Sequence, residues 1–348
     1  MKSVDSILHG RNDYASLYAS ARLVSTPYLY DADVSLQIRK DLADERSPVR
    51  QFIRLPFCAA MLWPLGRMTY LWSYWAFQIL SLGALLASVF LWPGKRIPLL
   101  LAYCWSLPAS AVVAQGQDVF FLLLWITLVL RWADRRPLAA GLVMALCASK
   151  FHLFLPLPVL LAARREGRMA AGMGLSGALL VLVSFGVAGA NWPERFLQTI
   201  ASPVVSPGLD TMPNLHNLLS MLPGHTVWEW IIGLACVAMV SVVARRTSLQ
   251  TGLAVALVAG MLTSVHSYLA DCTLLVPALL LLAGTGIGWL RLAATSLLVP
   301  IWYLLLIMGG GSGRLLPAAL LGLLAAVTWE AVRSGCEVPG LAASERAV

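Results

Sequence analysis

The sequence has little charge. Asp, Glu, Lys and Arg make up 12% of its 348 residues, whereas soluble domains average about 25%. Hydrophobic residues make up 59%, so a single water-soluble core is excluded. This composition is typical of a polytopic membrane protein, whose chain crosses the lipid bilayer several times.

Cysteine is scarce and scattered, and no two cysteines have the spacing of a Cys-x-x-Cys motif or of another metal-ligand set. We therefore predict no disulfide framework, no metal site and no cofactor. The six are Cys58, Cys104, Cys147, Cys236, Cys272 and Cys336. The net charge of +8 does not indicate a nucleic-acid partner, because membrane proteins accumulate Lys and Arg in their cytoplasmic loops.

A signal peptide is also lacking, because residues 1–10 contain no apolar stretch. Long apolar runs fill most of the chain, and a membrane span needs about 20 such residues. Beside a run at 137–163, the candidates are 68–92, 97–114, 117–132, 169–189, 226–244, 249–265, 272–290, 293–308 and 315–332. Two polar stretches stand out, residues 1–55 and the proline-rich stretch 190–225.

Four basic clusters flank the apolar runs, and the positive-inside rule places all of them in the cytoplasm. They are Lys95–Arg96, Arg131 with Arg135 and Arg136, Arg164 with Arg165 and Arg168, and Arg245–Arg246. The run between Arg136 and Arg164 then cannot cross once. It must go out and come back, which places its turn near Lys150.

We therefore predict a tight helical hairpin with Lys150 at its tip. Each arm has only about 12 residues, or about 18 Å at 1.5 Å per residue, which is too short for the full hydrocarbon thickness. The alternative is a single long span in which Lys150 is buried and snorkels.

Successive spans cross the membrane in alternating directions. With the basic clusters inside, this alternation predicts four more outer segments: residues 1–55, 115–118, 190–225 and 265–271. Residues 56–333 form the predicted membrane domain, and 334–348 a cytoplasmic tail. The expected fold is an all-α polytopic bundle of about eleven transmembrane or half-spanning helices. Because eleven spans leave the N-terminus outside, we expect that a first span is missing.

Polar residues of two kinds converge on this outer face. A carboxylate near an acceptor hydroxyl can act as a general base, and basic side chains can stabilise the charge of a phosphate leaving group. Together they indicate group transfer from a lipid phosphate. The carboxylates are Asp13, Asp118 and Asp271, and the remaining candidates are Arg11, Arg54, Gln117, Lys150, His152, His216, Asn217 and His266.

Most of these residues also have a purely structural interpretation. Asp118 can cap the helix that follows it, Asp13 can be an ordinary solvated residue, and His266 and Asp271 can simply close a loop. Lys150 is harder to explain in this way, because a charge at the bilayer centre costs at least about 2.5–3.5 kcal/mol and requires a partner.

Six segments occur in an order that resembles glycosyltransferase family 87 of the GT-C superfamily. They cover most of residues 12–282. The segments are NDYASLYASARLVSTPYLYD, RLPFCAAMLWPLGRM, GQDVFFLLL, RPLAAGLVMALCASKFHLFLPLPVLLAARREGR, MPNLHNLL and SVHSYLADCTLLVPALLLL.

The resemblance implies a multi-pass enzyme of the inner (plasma) membrane, similar to mannosyltransferases that use a polyprenyl-phosphate sugar as donor. Asp13 matches the acidic residue of the first outer loop, the expected base. Lys150 matches the lysine after the GLV-A run, and His266 matches the histidine of the late outer loop. The implied partners are this donor, a lipid or glycan acceptor, and the bilayer.

We therefore expect hexose transfer with inversion, in which Asp13 deprotonates the acceptor. Lys150, helped by Arg54, His152 or His266, would hold the leaving phosphate. One rival is a transporter or flippase for a lipid-linked sugar, which would have paired internal repeats; no repeat of fixed period is found. The other is a non-catalytic homologue, which a missing first span would favour.

Overall fold

The computed structural model describes residues 4–40, 52–201 and 208–334. All regular secondary structure in these residues is helical, so the predicted all-α class is confirmed. Parts of three predicted regions lie outside the described residues: 1–3 and 41–51 of the N-terminal segment, 202–207 of the outer loop, and 335–348 of the tail.

The N-terminal part contains four short helices: α1 (Val4–Leu8), α2 (Tyr14–Arg22), α3 (Ala32–Lys40) and α4 (Pro56–Gly66). The next part contains α5 (Tyr70–Leu91), α6 (Arg96–Trp105), α7 (Leu107–Gln115), α8 (Val119–Trp132), α9 (Pro137–Met144), α10 (Phe151–Phe154), α11 (Pro156–Arg164) and α12 (Gly167–Ala188). The last part contains α13 (Trp192–Ile200), α14 (Leu215–Leu219), α15 (His225–Arg246), α16 (Leu249–Thr263), α17 (Leu275–Ala283), α18 (Gly288–Ser296), α19 (Ile301–Met308), α20 (Gly310–Gly313) and α21 (Leu315–Arg333).

Five helical segments of the described chain are long and apolar enough to cross a membrane, or up to seven if each of two bent pairs is one span. Four shorter apolar helices accompany them: Pro56–Gly66, Val119–Trp132, Leu249–Thr263 and Leu269–Ala283. The chain is therefore a multi-pass helical bundle, while the count of about eleven stays a prediction.

Two of the predicted spans are bent in the structure. The run 97–114 is divided into α6 and α7, which meet at 64°, and the run 293–308 falls on α18 and α19, which meet at 47°. At the first bend, Ser106 caps α7 by accepting a hydrogen bond from the Ala109 N–H at 3.2 Å, and Pro108 occupies the first turn. Hydropathy alone does not reveal such a bend, because both halves are apolar.

The chain between Arg136 and Arg164 reverses direction, as the hairpin hypothesis requires. Its first part, Pro137–Phe154, is one helical segment of 18 residues that is long enough to cross a membrane, so the predicted arm of about 12 residues is too short. It begins beside the first turns of α12, and Lys150 near its end donates to Gln117. The chain from Leu153 onwards forms the second arm and packs on α16. Leu153 lies against Gly260 and Leu160 against Gly252, so this arm runs from the end of α16 towards its beginning.

The second arm ends where α15 and α16 are joined. Arg164 donates to the backbone oxygens of Ala244, at 3.0 Å, and Thr247, at 2.5 Å. These bonds satisfy carbonyls at the C-terminal end of α15 that have no intrahelical partner. Arg164 therefore lies at the end of the bundle opposite Lys150.

The first arm can approach α12 closely because glycines lie at the crossing. A Cβ added to Gly172 of α12 would lie 2.2 Å from the Leu138 oxygen, and one added to Gly141 of α9 would lie 2.0 Å from the Met169 oxygen. No side chain fits at either position without separating the helices, as at small-residue crossings in other membrane proteins.

We predict that Gly172→Ala destabilises the protein by about 1–3 kcal/mol, the usual cost of overpacking. Gly174→Ala on the same helix is the matched control, because nothing lies within 4 Å of its added Cβ and alanine favours a helix over glycine by up to about 1 kcal/mol. Thermal unfolding in detergent should give a lower midpoint for Gly172→Ala only. Equal midpoints would show that the crossing tolerates a side chain.

Candidate functional site

The site is built where α7 ends. The last carbonyls of a helix have no intrahelical partner, and three of those in α7 accept hydrogen bonds from other segments. Gln78 donates to the Val113 oxygen at 2.8 Å, the Asn12 amide to the Ala114 oxygen at 3.2 Å, and the Asp13 backbone N–H to the Gln115 oxygen at 3.0 Å. The N-terminal segment is thereby fixed to the bundle at Asp13.

Gly116 makes the sharp turn that follows α7. Its φ of 63° lies in the left-handed region, where glycine has no steric penalty. A Cβ at this position would also lie 2.6 Å from the Asn12 side-chain oxygen. The turn directs Gln117 and Asp118 towards the segments that carry Asp13, Arg54 and Lys150.

The Gln117 side-chain amide lies at the centre of the site. Its nitrogen donates to Asp13 Oδ2 at 2.6 Å. Its oxygen accepts from Lys150 Nζ at 3.3 Å and from an Arg54 nitrogen at 3.4 Å. Only this orientation of the amide gives every neighbour a complementary partner, because an amide nitrogen donates and an amide oxygen accepts.

Lys150 forms a buried ion pair with Asp271, and the two side chains are each 7% exposed. Asp118 Oδ1 lies 3.8 Å from the same ammonium group. The other carboxylate oxygen of Asp271 accepts the Tyr268 backbone N–H at 2.9 Å. The sequence analysis predicts a partner for Lys150, and the structure identifies it as Asp271.

Arg54 forms the second ion pair of the site, with Asp118. Burial has the largest single effect on the Arg54 guanidinium and lowers its pKa, but the neighbouring groups, Asp118 first among them, together raise it by more, so the pKa lies above its ordinary value. Asp118 makes no side-chain hydrogen bond to the backbone at the start of α8. It lies in the charged cluster and does not cap the helix.

The two other candidate side chains of this region lie beside the charged cluster. The His152 and His266 rings face each other edge to face, with centroids 6.2 Å apart. His266 also packs on Tyr268, at 4.8 Å. Phe151, next to Lys150, packs on Phe196 of α13, at 5.9 Å. These rings therefore connect the segment that follows Lys150 to α13 and to the loop that carries His266.

Three candidates have other surroundings. Arg11 is paired with Asp5, and its side chain is 40% exposed. Asn217 is buried, and its amide nitrogen donates to backbone oxygens of Asp210, Met212 and Gly313. His216 Nδ1 lies 2.9 Å from a carboxylate oxygen of Glu229.

The geometry supports acid–base chemistry on a phosphate-bearing substrate better than it supports a passive core. Three carboxylates and two cations from four separate segments meet around one amide. Asp13 is half-buried, and the Gln117 amide links its carboxylate to both cations.

A family model decides what kind of enzyme this is. The model of glycosyltransferase family 87 matches residues 52–270, more than half of the chain. The chain belongs to this family. No curated protein and no solved structure matches it significantly.

This family 87 chain is therefore a membrane glycosyltransferase, which acts on glycan or lipid substrates at a bilayer. The matched range contains Arg54, Gln117, Asp118 and Lys150, but it ends one residue before Asp271 and begins after Asp13. What connects Asp13 to the matched part is structural: the Gln117 bond and the backbone bond to Gln115.

Sequence reasoning missed Asn12 and Asn214, two buried residues that hold the site together. Asn12 binds the end of α7, and Asn214 donates to the Ser264 oxygen at 2.8 Å, next to the loop that carries His266. Both lie one or two residues before a chosen candidate in polar stretches of the sequence, so residue type alone did not distinguish them from their neighbours.

We predict that the Lys150–Asp271 pair shows strong coupling in a double-mutant cycle. Lys150→Met should cost about 3–5 kcal/mol, because it leaves a buried carboxylate without its cation. Asp271→Asn keeps the acceptor for Tyr268 and removes only the charge. The double variant should be more stable than the sum of the two losses by about 0.5–3 kcal/mol.

Thermal unfolding of all four proteins in the same detergent measures this coupling. Losses that add to within about 0.5 kcal/mol, as for independent sites, would show that the pair is not coupled.

Proposed function

We propose that this glycosyltransferase transfers a hexose, mannose-like, from a polyprenyl-phosphate donor to a hydroxyl of a lipid-linked or glycan acceptor. The reaction takes place on the outer face of the inner (plasma) membrane. The observation that supports the proposal is the Gln117 amide, which donates to the Asp13 carboxylate and accepts from the two cations Lys150 and Arg54.

Asp13 acts as the general base. It takes the proton of the acceptor hydroxyl while that oxygen attacks the anomeric carbon of the sugar. The bond between this carbon and the phosphate oxygen breaks, and the electron pair leaves with the polyprenyl phosphate. Because this is a single displacement from the opposite side, the configuration at the anomeric carbon is inverted.

Lys150 and Arg54 bind the phosphate and stabilise the charge that it gains. Lysine has three N–H donors and arginine five, and the bonds to Gln117, Asp118 and Asp271 use only some of them. The remaining N–H groups of the two cations can donate to phosphate oxygens, and such charge-assisted hydrogen bonds are about twice as strong as neutral ones.

His152 and His266 complete the phosphate-binding side. Their rings lie next to the Lys150 backbone and the Asp271 loop, and Phe151 links them to α13. The loop 190–225 then borders the substrate, like loops that close over substrates in many enzymes. We assign Asn217 to the shape of this loop, because its amide binds three backbone oxygens.

We predict that Asp13→Asn lowers turnover by at least about 10²-fold, within the usual range of about 10²–10⁴-fold for general-base catalysis. Asparagine keeps the acceptor for Gln117 but cannot take a proton at neutral pH. Transfer of radiolabelled sugar from a polyprenyl-phosphate donor, in membranes with equal amounts of each protein, measures this loss.

Asp31→Asn is the matched control. Asp31 lies in the same N-terminal segment and caps the start of α3 through its side-chain oxygen, and asparagine caps equally well. This variant should keep wild-type turnover. If Asp13→Asn also keeps more than about a tenth of it, Asp13 contributes less than a general base does, and the assignment is wrong.

The proposed sidedness has its own test. Tyr28 is exposed near the end of α2, on the side of the N-terminal segment, and Arg168 is exposed at the start of α12, at the opposite end of the bundle. With all native cysteines replaced, we predict that an impermeant thiol reagent labels Tyr28→Cys in intact cells. It should label Arg168→Cys only after permeabilisation, and the reverse pattern would place the site on the cytoplasmic face.

A further inference from the structure

Two histidines and a glutamate meet at the far end of the outer loop, apart from the charged cluster. They are His216 of α14 and His225 and Glu229 of α15. One ligand atom from each can be chosen so that all lie within 4.8 Å of one another. In the part of the chain that the structure describes, this is the one group of three such side chains with this geometry.

The chain has local reasons to place these residues together. α15 begins at His225, directly after Gly224, whose φ of 67° allows the sharp entry. His225 and Glu229 are four residues apart, so they lie on the same face of the helix. α14 holds His216 opposite them, because Asn214 caps this helix by accepting the Asn217 N–H at 3.1 Å.

The glutamate oxygen has no hydrogen bond. Glu229 Oε1 lies 2.9 Å from His216 Nδ1, but the arrangement lacks hydrogen-bond geometry, and this buried oxygen has no hydrogen-bond partner. A cation placed between the three side chains would satisfy it.

We propose that His216, His225 and Glu229 form a binding site for a divalent transition-metal ion, of which Zn²⁺ fits best. Two imidazole nitrogens and one carboxylate oxygen are a common donor set for zinc, with a fourth position open to water or another ligand. Bond lengths of about 2.0–2.2 Å to zinc require only a small inward movement of side chains that already lie this close.

Zinc at this site would cross-link α14 to α15, because its ligands come from both helices. α14 begins after Asn214, which donates to the Ser264 backbone oxygen at 2.8 Å. The Ser264 hydroxyl accepts the His266 N–H at 3.2 Å. Holding α14 therefore steadies the loop that carries His266. The inference does not depend on the proposed chemistry, because no metal ligand belongs to the Asp13–Lys150 cluster.

Zinc titration of the full chain tests the proposal. The protein is purified in detergent with a tag that contains no histidine, treated with a chelator, and titrated with zinc against a fluorescent zinc indicator. We expect one equivalent to bind and to raise the thermal midpoint. Glu229→Gln and His225→Ala should weaken zinc binding by at least about 100-fold. Removing a residue that only hydrogen-bonds to a metal ligand already lowers metal affinity by up to about 100-fold, and these two variants remove a ligand itself.

His9→Ala is the matched control, since His9 forms a pair with Asp5 at the same four-residue spacing but without a third ligand. It should bind zinc like the wild type. All proteins carry Cys104→Ser, because Cys104 is the exposed one of the five described cysteines and a free thiol can bind zinc.

The thermal midpoint measured without metal is the control for correct folding. Glu229→Gln keeps the shape of the side chain, so its metal-free midpoint should equal that of the wild type while the rise with zinc is lost. No binding to the wild type, or equal binding by wild type and Glu229→Gln, would overturn the proposal and leave an ordinary ion pair between Glu229 and His216.

Discussion

The structure depends on the pairing of buried charges. A charge removed from water is costly unless it has a partner close by, and Lys150 and Arg54 each lie in a mostly apolar bundle. Their partners, Asp271 and Asp118, come from distant parts of the chain. The Gln117 amide then joins both cations to Asp13. Pairing therefore determines how the N-terminal segment, the end of α7, the hairpin and the late loop meet.

The backbone imposes the same requirement at the same place. Within a membrane, backbone groups at an interrupted helix must find partners inside the protein. α7 ends at the turn before α8, and Gln78, Asn12 and the Asp13 N–H bind its last carbonyls. The end of α7 is thus both the anchor of the N-terminal segment and the position of the polar site.

Much of this arrangement follows from the sequence. The basic clusters at Arg136 and Arg164 require the chain to reverse between them, and the cost of burying Lys150 requires a carboxylate nearby. The particular pairing does not follow, because three carboxylates reach the same face and only their backbone positions distinguish them. The bends at Ser106 and between α18 and α19 are hidden for a similar reason: hydropathy is the same on both sides. Asn217 is a further case: its amide binds three backbone oxygens, and residue type alone does not reveal those partners.

The pairing also shapes how the proposed reaction would proceed. With Asp118 and Asp271 against them, the two cations carry little net charge towards an incoming group, so a donor phosphate must share their remaining donors instead of finding two unpaired cations. Phosphate binding would then shift Lys150 and Arg54, and with them the oxygen of Gln117. Because the nitrogen of the same amide binds Asp13, that shift would also reorient the proposed base. Gln117 has no titratable proton, so it couples the two halves of the site by position and not by proton transfer. In the proposed reaction, donor binding would thereby be linked to the orientation of Asp13.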